Sequence, residues 1–317
     1  MGIVVIGSIF VDIKGYPMGE FVATGRNVGY VVTKHGGVSR NVAEDIANVE
    51  LRPTFVGLVD DTGLGQDVIA KLKRHKVNTD YIRAVKDGMG TWLAVFDNQG
   101  DVAASVSSRP DLEEIDDILD ESGDEIFRNA DSIVVEFDLE RPTLKRVFEL
   151  AEKYNKDVYA VVSNMSIAIA RRDLIRRNAC LVCNLQEAGI FFSEKYDHLT
   201  AEEMEPVLAE KVRQAEIPRM VVTMGGDGAV YATFDGETGI VPAMHVNVRD
   251  TTGAGDAFFA GVTMGLTYGK SINESCKIGT RLAASVIETM ENVCPRFLPG
   301  ELGLDGCVDE DEDEDQN

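Results

Sequence analysis

Asp250-Thr251-Thr252-Gly253-Ala254-Gly255-Asp256-Ala257-Phe258-Phe259-Ala260-Gly261 joins a glycine-bearing loop directly to an apolar, alanine-rich helix. Glycines at 253 and 255 let the backbone turn sharply and gather amide N–H groups at one point. The free N–H groups of the first helical turn join them, and the helix dipole adds partial positive charge. Gly253, Ala254, Gly255 and Asp256 therefore read as a small anion hole, suited to a phosphate in transfer. Asp256 sits at the start of the same helix and has two readings. As an N-cap it would be ordinary. As a general base it would accept the proton of an attacking hydroxyl, which phosphoryl transfer requires. A cap explains neither the two glycines nor the flanking Asp250, so the base is preferred.

Outward from this segment, short β-rich runs alternate with helical stretches. Core strands are expected at Ile3–Ile6, Thr54–Leu58, Ser132–Glu136, Asp157–Val162, Leu181–Cys183, Met220–Thr223 and Ala229–Thr233. Amphipathic helices are expected at Asn41–Val49, Gly65–His75, Thr143–Tyr154, Ala201–Gln214 and Ala257–Leu266. Such alternation predicts an α/β fold: three Rossmann-like layers, with helices on both faces of a mostly parallel sheet. Two stretches break the rhythm. Asp12 to Lys34 is rich in Gly, Val and Tyr without helical periodicity, and Thr91–Phe96 with Val102–Val106 reads as a hairpin around Asp97-Asn98-Gln99-Gly100. Together they predict a small β-sheet beside the α/β body, either a lid over a site or a plain edge extension.

Composition excludes several classes. The chain has 317 residues, is 44% hydrophobic and carries a formal charge of −23. A surface this acidic makes nucleic acid and anionic lipid poor partners. It also repels ATP at long range, so a nucleotide site must rest on local dipoles and a metal ion. No run is long and apolar enough to span a bilayer, and Ile3 to Ile6 is too short for a signal peptide, so a cytoplasmic protein is expected. Cys180 and Cys183 form a C-x-x-C, but on a strand residues three apart face opposite ways. With no second pair at a suitable spacing, core thiols fit better than zinc. The acidic run Asp309 to Asp315 has nothing to bury and reads as a disordered tail, placed at residues 303–317 after a single domain at 1–302. Gly265-Leu266-Thr267-Tyr268-Gly269-Lys270-Ser271 has one residue too few between its glycines for a Walker loop, and Gly225-Gly226-Asp227-Gly228 is not a dinucleotide fingerprint.

Asp250–Asp256 resembles the C-terminal signature of the ribokinase-like (PfkB) family of carbohydrate and nucleoside kinases. Gly36-Gly37-Val38-Ser39-Arg40-Asn41-Val42-Ala43 resembles its N-terminal glycine-pair signature, and the likeness runs over about residues 1 to 300. The resemblance implies a ribokinase-like fold with a β-sheet lid, Asp256 as base, and ATP with Mg²⁺. A potassium requirement is left open. Asp12, at the end of Gly7-Ser8-Ile9-Phe10-Val11-Asp12, resembles the carboxylate that accepts hydrogen bonds from two sugar hydroxyls. Gly37 and Asn41 resemble the groups that meet the same sugar, although Asn41 reads equally well as a helix N-cap. Asn184-Leu185-Gln186-Glu187 resembles the family's N-x-x-E motif, in which Glu187 would hold Mg²⁺ through water. Thr223-Met224-Gly225-Gly226-Asp227-Gly228 resembles the turn along the ATP phosphates, with Thr223, Gly225, Gly226 and Gly228 as its contacts. The helix Gly279–Thr289 resembles the element beside the adenine, with Ala283, Ala284 and Ser285 permitting close approach. Family resemblance also implies a possible homodimer through the lid.

Within the family, Gly7-Ser8 through Asp12, Gly15-Tyr16 and His35-Gly36-Gly37-Val38-Ser39-Arg40-Asn41 resemble pseudouridine kinases, as does Met224-Gly225-Gly226-Asp227-Gly228. The implied reaction is ATP-dependent phosphorylation of pseudouridine to its 5'-phosphate. Val162-Ser163-Asn164-Met165-Ser166 lacks the D-x-N-x-R of many sugar kinases, but it also lacks the Lys that pseudouridine kinases tend to carry there. A ribokinase- or fructokinase-like sugar kinase is the alternative. From another class, a non-catalytic nucleoside or sugar sensor on the same scaffold is the other.

Overall fold

Strand β1 (Val4–Ile6) lies between two apolar layers, and the alternation of its side chains shows both. Val4 and Ile6 enter one buried cluster with Val56, Leu58, Ile133 and Val135. Ile3 and Val5 enter the other with Phe55, Val59 and Val134. A strand covered on both faces reads as a continuous hydrophobic run rather than an alternating one. The structure, a computed structural model, describes residues 2–99 and 101–306. Cys307, Gly100 of the expected hairpin turn and the acidic run Asp309 to Asp315 lie outside the described residues.

The main sheet runs β5 (Asn78–Val85), β4 (Thr54–Asp60), β1, β8 (Ile133–Glu136) and β9 (Val158–Val161), all parallel. Next to β9, where Ala179 donates to the Val158 carbonyl, a second sheet begins. It runs β10 (Leu181–Asn184), β11 (Arg219–Thr223), β12 (Ala229–Thr233) and β13 (Thr238–Val241), the first pair parallel and the rest antiparallel. One apolar layer is covered by α3 (Glu114–Asn129), α4 (Arg141–Tyr154), the short α5 (Met165–Ile169) and α6 (Arg172–Ile175), α7 (Leu185–Phe192) and α8 (Ala201–Ala215). The opposite layer holds α1 (Val38–Asn48), α2 (Gly63–Arg74), α9 (Ala254–Thr267) and α10 (Ile272–Ile287). Leu304 is buried in that same layer. Among the described residues no helix is long and apolar enough to cross a membrane. Cys180, Cys183, Cys276 and Cys294 are buried free thiols, as the strand reading of the C-x-x-C expects.

The two stretches that break the rhythm do pair. They form a four-stranded sheet ordered β3 (Gly29–Gly36), β2 (Phe10–Pro17), β6 (Gly90–Phe96) and β7 (Val102–Ser108). Its limits reach a few residues beyond the expected 12–34 and 91–106, because Phe10 and Gly36 close the β2–β3 register and Gly90 pairs with Phe10.

Helices α9 and α10 pack along a seam of glycines. A Cβ on Gly261 would lie 2.5 Å from the Gly279 Cα, and one on Gly279 would lie 2.6 Å from the Phe258 carbonyl oxygen. Gly265 meets Ser275 in the same way. Helix α10 begins at Ile272, well before the expected Gly279, because Ser271 starts it with a capping box to Glu274, and the seam falls in its middle.

Candidate functional site

Helix α9 starts at Ala254 with Gly253 as its N-cap, so Asp256 is the third helical residue and not the cap. The chain reaches the helix through Gly253 at φ 84°, a left-handed conformation that L side chains adopt at a cost. A Cβ there would also lie 2.1 Å from the Asn292 carbonyl oxygen. The Ala254 amide donates to the Thr251 carbonyl at 3.2 Å. That removes one donor from the expected anion hole. No hydrogen bond between described residues engages the amides of Gly253, Gly255 and Asp256. Open space lies over Gly255 where a side chain would stand.

The Asp256 carboxyl faces α1. Asn41 Nδ2 donates to its Oδ2 at 2.7 Å. Asn41 is the fourth residue of α1, whose N-cap is Gly37 at φ 95°, so the N-cap reading of Asn41 is corrected. The glycine starts the helix earlier than the periodicity predicts. Burial pushes the Asp256 carboxyl up to about 6; the Asn41 hydrogen bond and Arg40 oppose this, and Glu136 and Asp12 add to it. A carboxyl poised there is mostly ionised at neutral pH yet basic enough to take a proton.

Asp12 stands on β2 with its carboxyl against the backbone of Gly36: a Cβ on Gly36 would fall 2.5 Å from Asp12 Oδ1. Burial raises its carboxyl above the usual range, while Lys14 and Arg40 pull the other way. Asp12, Gly37, Asn41 and Asp256 are thus gathered where β2, α1 and α9 meet. Period-two geometry puts Lys14 and Tyr16 on the same face of β2 as Asp12, and the β2–β6 register puts Trp92 opposite Asp12. Lys14 Nζ lies 5.8 Å from the Trp92 ring centre. Tyr16 stacks between Tyr30 and Phe96, with centroids 5.1 and 4.8 Å away.

Beyond the Gly255 amide opens a cleft of about 430 Å³. Thr223, Gly225, Gly226 and Gly228 line it together with Thr251, Ala254 and Gly255, which places the glycine turn beside the amide cluster. Ala283, Ala284 and Ile287 of α10 line it too, but Ser285 does not; its hydroxyl donates to the Leu282 carbonyl. Met244, Val246 and Val248 complete an apolar end, and sequence reasoning did not single them out.

Asn184 and Glu187 do not line this cleft. They form a capping box at the start of α7, with Asn184 Oδ1 accepting from the Glu187 amide and Glu187 Oε2 accepting from the Asn184 amide, each at 2.8 Å. Asn184 pairs with Thr223 across β10–β11, so the box stands one strand from the cleft. Among the described residues no group of three or more His, Cys, Asp or Glu side chains could hold a metal. Mg²⁺ still fits, since it usually takes one or two carboxylates plus phosphate oxygens and water. Glu187 keeps Oε1 outside the capping box for such a contact.

A family model described as pfkB family carbohydrate kinase matches residues 2–293. The chain belongs to this family. It is 34% identical over 299 residues to the guanosine-inosine kinase of Exiguobacterium acetylicum, covering 93% of this chain and 98% of that one. Pseudouridine kinase of Escherichia coli is 26% identical over 281 residues, 87% of each chain. Among solved structures, a ribokinase of Arabidopsis thaliana complexed with ribose and ATP has a TM-score of 0.79 at 20% identity, covering 95% of this chain and 97% of that one. The protein is therefore an ATP-dependent kinase with a ribokinase-like fold, and the reading of a non-catalytic sensor falls.

As a PfkB kinase the chain carries one further acidic group that the sequence reading passed over. Glu136 ends β8, is buried, and accepts from the Ser8 amide at 2.7 Å and from the Ser8 and Ser39 hydroxyls at 2.8–2.9 Å. Burial raises its carboxyl. A lone charged residue closing the apolar run Ile133–Val135 was the available signal.

Proposed function

We propose that this kinase transfers the γ-phosphoryl group of ATP to the 5'-hydroxyl of a ribonucleoside, with inosine or guanosine as the best acceptor. The observation that carries the nucleoside reading is Trp92, set opposite Asp12 on the same face of the lid sheet. An aromatic ring beside a carboxylate suits a ligand that is part diol and part flat base; a free sugar offers a ring only its C–H face, a weaker match than the π-face of a base. The 34% identity to a guanosine-inosine kinase over nearly its whole length favours a purine. Pseudouridine is the second reading, favoured by the Gly7–Asp12 and His35–Asn41 motifs and by the likeness to the Escherichia coli enzyme.

In this reading the acceptor ribose sits between Asp12, Gly37 and Asn41. Asp12 accepts from two ribosyl hydroxyls. One Asn41 N–H is spent on Asp256, so only the other is left for the sugar. The ATP phosphates lie along Thr223, Gly225, Gly226 and Gly228, near Asn184, with the adenine at the apolar end of the cleft. As the 5'-oxygen bonds to the γ-phosphorus, the bridge to the β-phosphate breaks and ADP leaves. The hydroxyl proton passes to Asp256, and the Gly255 and Asp256 amides meet the equatorial oxygens. Bound Mg²⁺ would neutralise phosphate charge. Replacing Glu187 with Gln is expected to raise the Mg²⁺ concentration for half-maximal rate while leaving the acceptor KM within about twofold. A raised acceptor KM at saturating Mg²⁺ would move Glu187 to the acceptor side.

The deciding experiment compares kcat/KM for inosine, guanosine, pseudouridine, adenosine, ribose and fructose with ATP and Mg²⁺. A purine nucleoside is expected to lead. Trp92→Ala should raise its KM about tenfold or more, the usual worth of a lost stacking partner. If pseudouridine leads, the second reading replaces the first; if ribose or fructose beats every nucleoside, the nucleoside reading is wrong.

A further inference from the structure

The Asp256–Asn41 contact has a third member. Asn292, on the segment after α10, is buried, and its Nδ2 donates to Asn41 Oδ1 at 3.2 Å and to the His35 carbonyl at 3.0 Å. Both acceptors are oxygens, so the amide nitrogen of Asn292 must be the end that faces them. Asn41 is then fixed as well. Its oxygen is held by Asn292, leaving its NH₂ to point at Asp256 Oδ2. Three side chains from distant parts of the sequence make one directed chain, Asn292 to Asn41 to Asp256.

We propose that Asn292 is a positioning residue that fixes the orientation of the Asn41 amide and so keeps Asp256 in its proton-accepting form. The inference rests on Asp256 being the base. An Asn amide turned by half a rotation fills the same space with oxygen and nitrogen exchanged. Turned so, Asn41 would present an acceptor to Asp256 Oδ2, a contact that suits only a protonated carboxyl. Without Asn292 no other described residue donates to Oδ1 to oppose that turn. The charged groups facing Asp256 are Arg40 and Asp45 from α1, Asp12 from β2 and Glu136 from β8. Three of these four are acidic, so the balance leans towards the protonated form and the donated N–H from Asn41 matters more.

The same segment also ties the lid to the base. His35 lies in β3, and its neighbour Lys34 donates from Nζ to the Met290 carbonyl. The Asn292 carbonyl is packed against Gly253 at the start of α9. Residues 290–292 therefore touch the lid strand, the amide of Asn41 and the anion loop at once. A residue with only a packing role would have no need of two outward N–H bonds to defined oxygens.

The test is the pH profile of kcat/KM from about pH 4.5 to 9 for the wild type, Asn292→Ala and Asn292→Asp. Alanine removes the donor. Aspartate keeps the shape but accepts instead of donating, so it draws the Asn41 NH₂ towards itself. The wild-type profile is expected to fall on the acidic side near pH 6, the value to which burial pushes Asp256. In both variants this fall should move towards neutral pH, with aspartate the larger. A move of about one unit would lower kcat/KM at pH 5.5 about eightfold yet leave pH 8 within about twofold. Should alanine fail to fold, as a melting curve would show, Asn292→Leu decides in its place, being close in volume and without donor or charge. Aspartate cannot decide alone, because a new carboxylate would raise Asp256 by repulsion. An acidic limb that stays in place, whether or not the rate drops uniformly, overturns the proposal. If the wild type has no acidic limb at all, the assignment of Asp256 as base falls and this inference with it.

Discussion

Replacing Asp256 with Asn is expected to lower kcat by about 10²–10⁴, the range that a lost general base usually costs, while ATP binding survives. The substitution keeps the shape of the side chain and its place as the third residue of α9. Only the proton acceptor is gone. Stability should move the other way. The folded carboxyl, at about 6, lies above the ordinary 3.8, so the folded state holds this proton more tightly than the unfolded chain. Its contribution is full at acid pH and is lost as pH rises from about 4 through 6. At pH 8 the wild type bears that cost and the Asn variant does not, so the variant should gain on the order of 1–3 kcal/mol and melt higher. A slower, more stable protein separates lost chemistry from lost folding. If activity falls by less than about tenfold, Asp256 is a structural residue of the helix start.

Gly253→Ala is expected to cost comparable activity for a different reason. The added methyl would stand 2.1 Å from the Asn292 carbonyl oxygen on a backbone with φ 84°, and neither neighbour is a flexible side chain. Relief requires the loop or the 290–292 segment to shift. A displacement of about 1 Å at a transfer site commonly costs ~10²-fold in rate. The loss should appear in kcat and in ATP KM together, because the amides of Gly255 and Asp256 move with the loop. Stability should also fall, by about 1–3 kcal/mol from strain and overpacking. Gly255→Ala makes the control: nothing lies within 4 Å of that position, so its effect should be confined to ATP binding. Equal behaviour of the two variants would remove the argument from conformation.

What could be read ahead of the structure was local. The glycine loop entering an apolar helix, the N-x-x-E at a strand end and the rhythm of buried strands each lie within about a dozen residues, and each is where it was expected. Helix starts were misplaced wherever a glycine in a left-handed conformation begins the helix early, as Gly37 does for α1 and Gly253 does for α9. Strand β13, with a glycine in its four residues, carried too weak a pattern to be seen. The contacts that make up the proposed acceptor side were beyond reach for another reason. Asn41 meets Asp256 across 215 residues of chain, and Asn292 meets Asn41 across 251. No periodicity encodes such pairs. The capping box of Asn184 and Glu187 shows the reverse hazard, since a four-residue motif read for its metal chemistry also has a complete local use.

The glycine seam between α9 and α10 bears on how this enzyme can be re-engineered. Because Gly261, Gly265 and Gly279 have no room for a methyl group, α9 and α10 are held in close backbone contact behind the cleft wall of Ala283 and Ala284. Library members that change any of these three glycines would carry backbone overlap and lose stability. The four-stranded sheet offers the opposite terrain: Tyr30 is well exposed on the face that carries Asp12, Lys14 and Trp92, while exposed Val31, Leu93 and Val106 lie on the other face. Diversity aimed at acceptor choice belongs on β2, β3, β6 and β7, with the paired helices kept constant as the chassis.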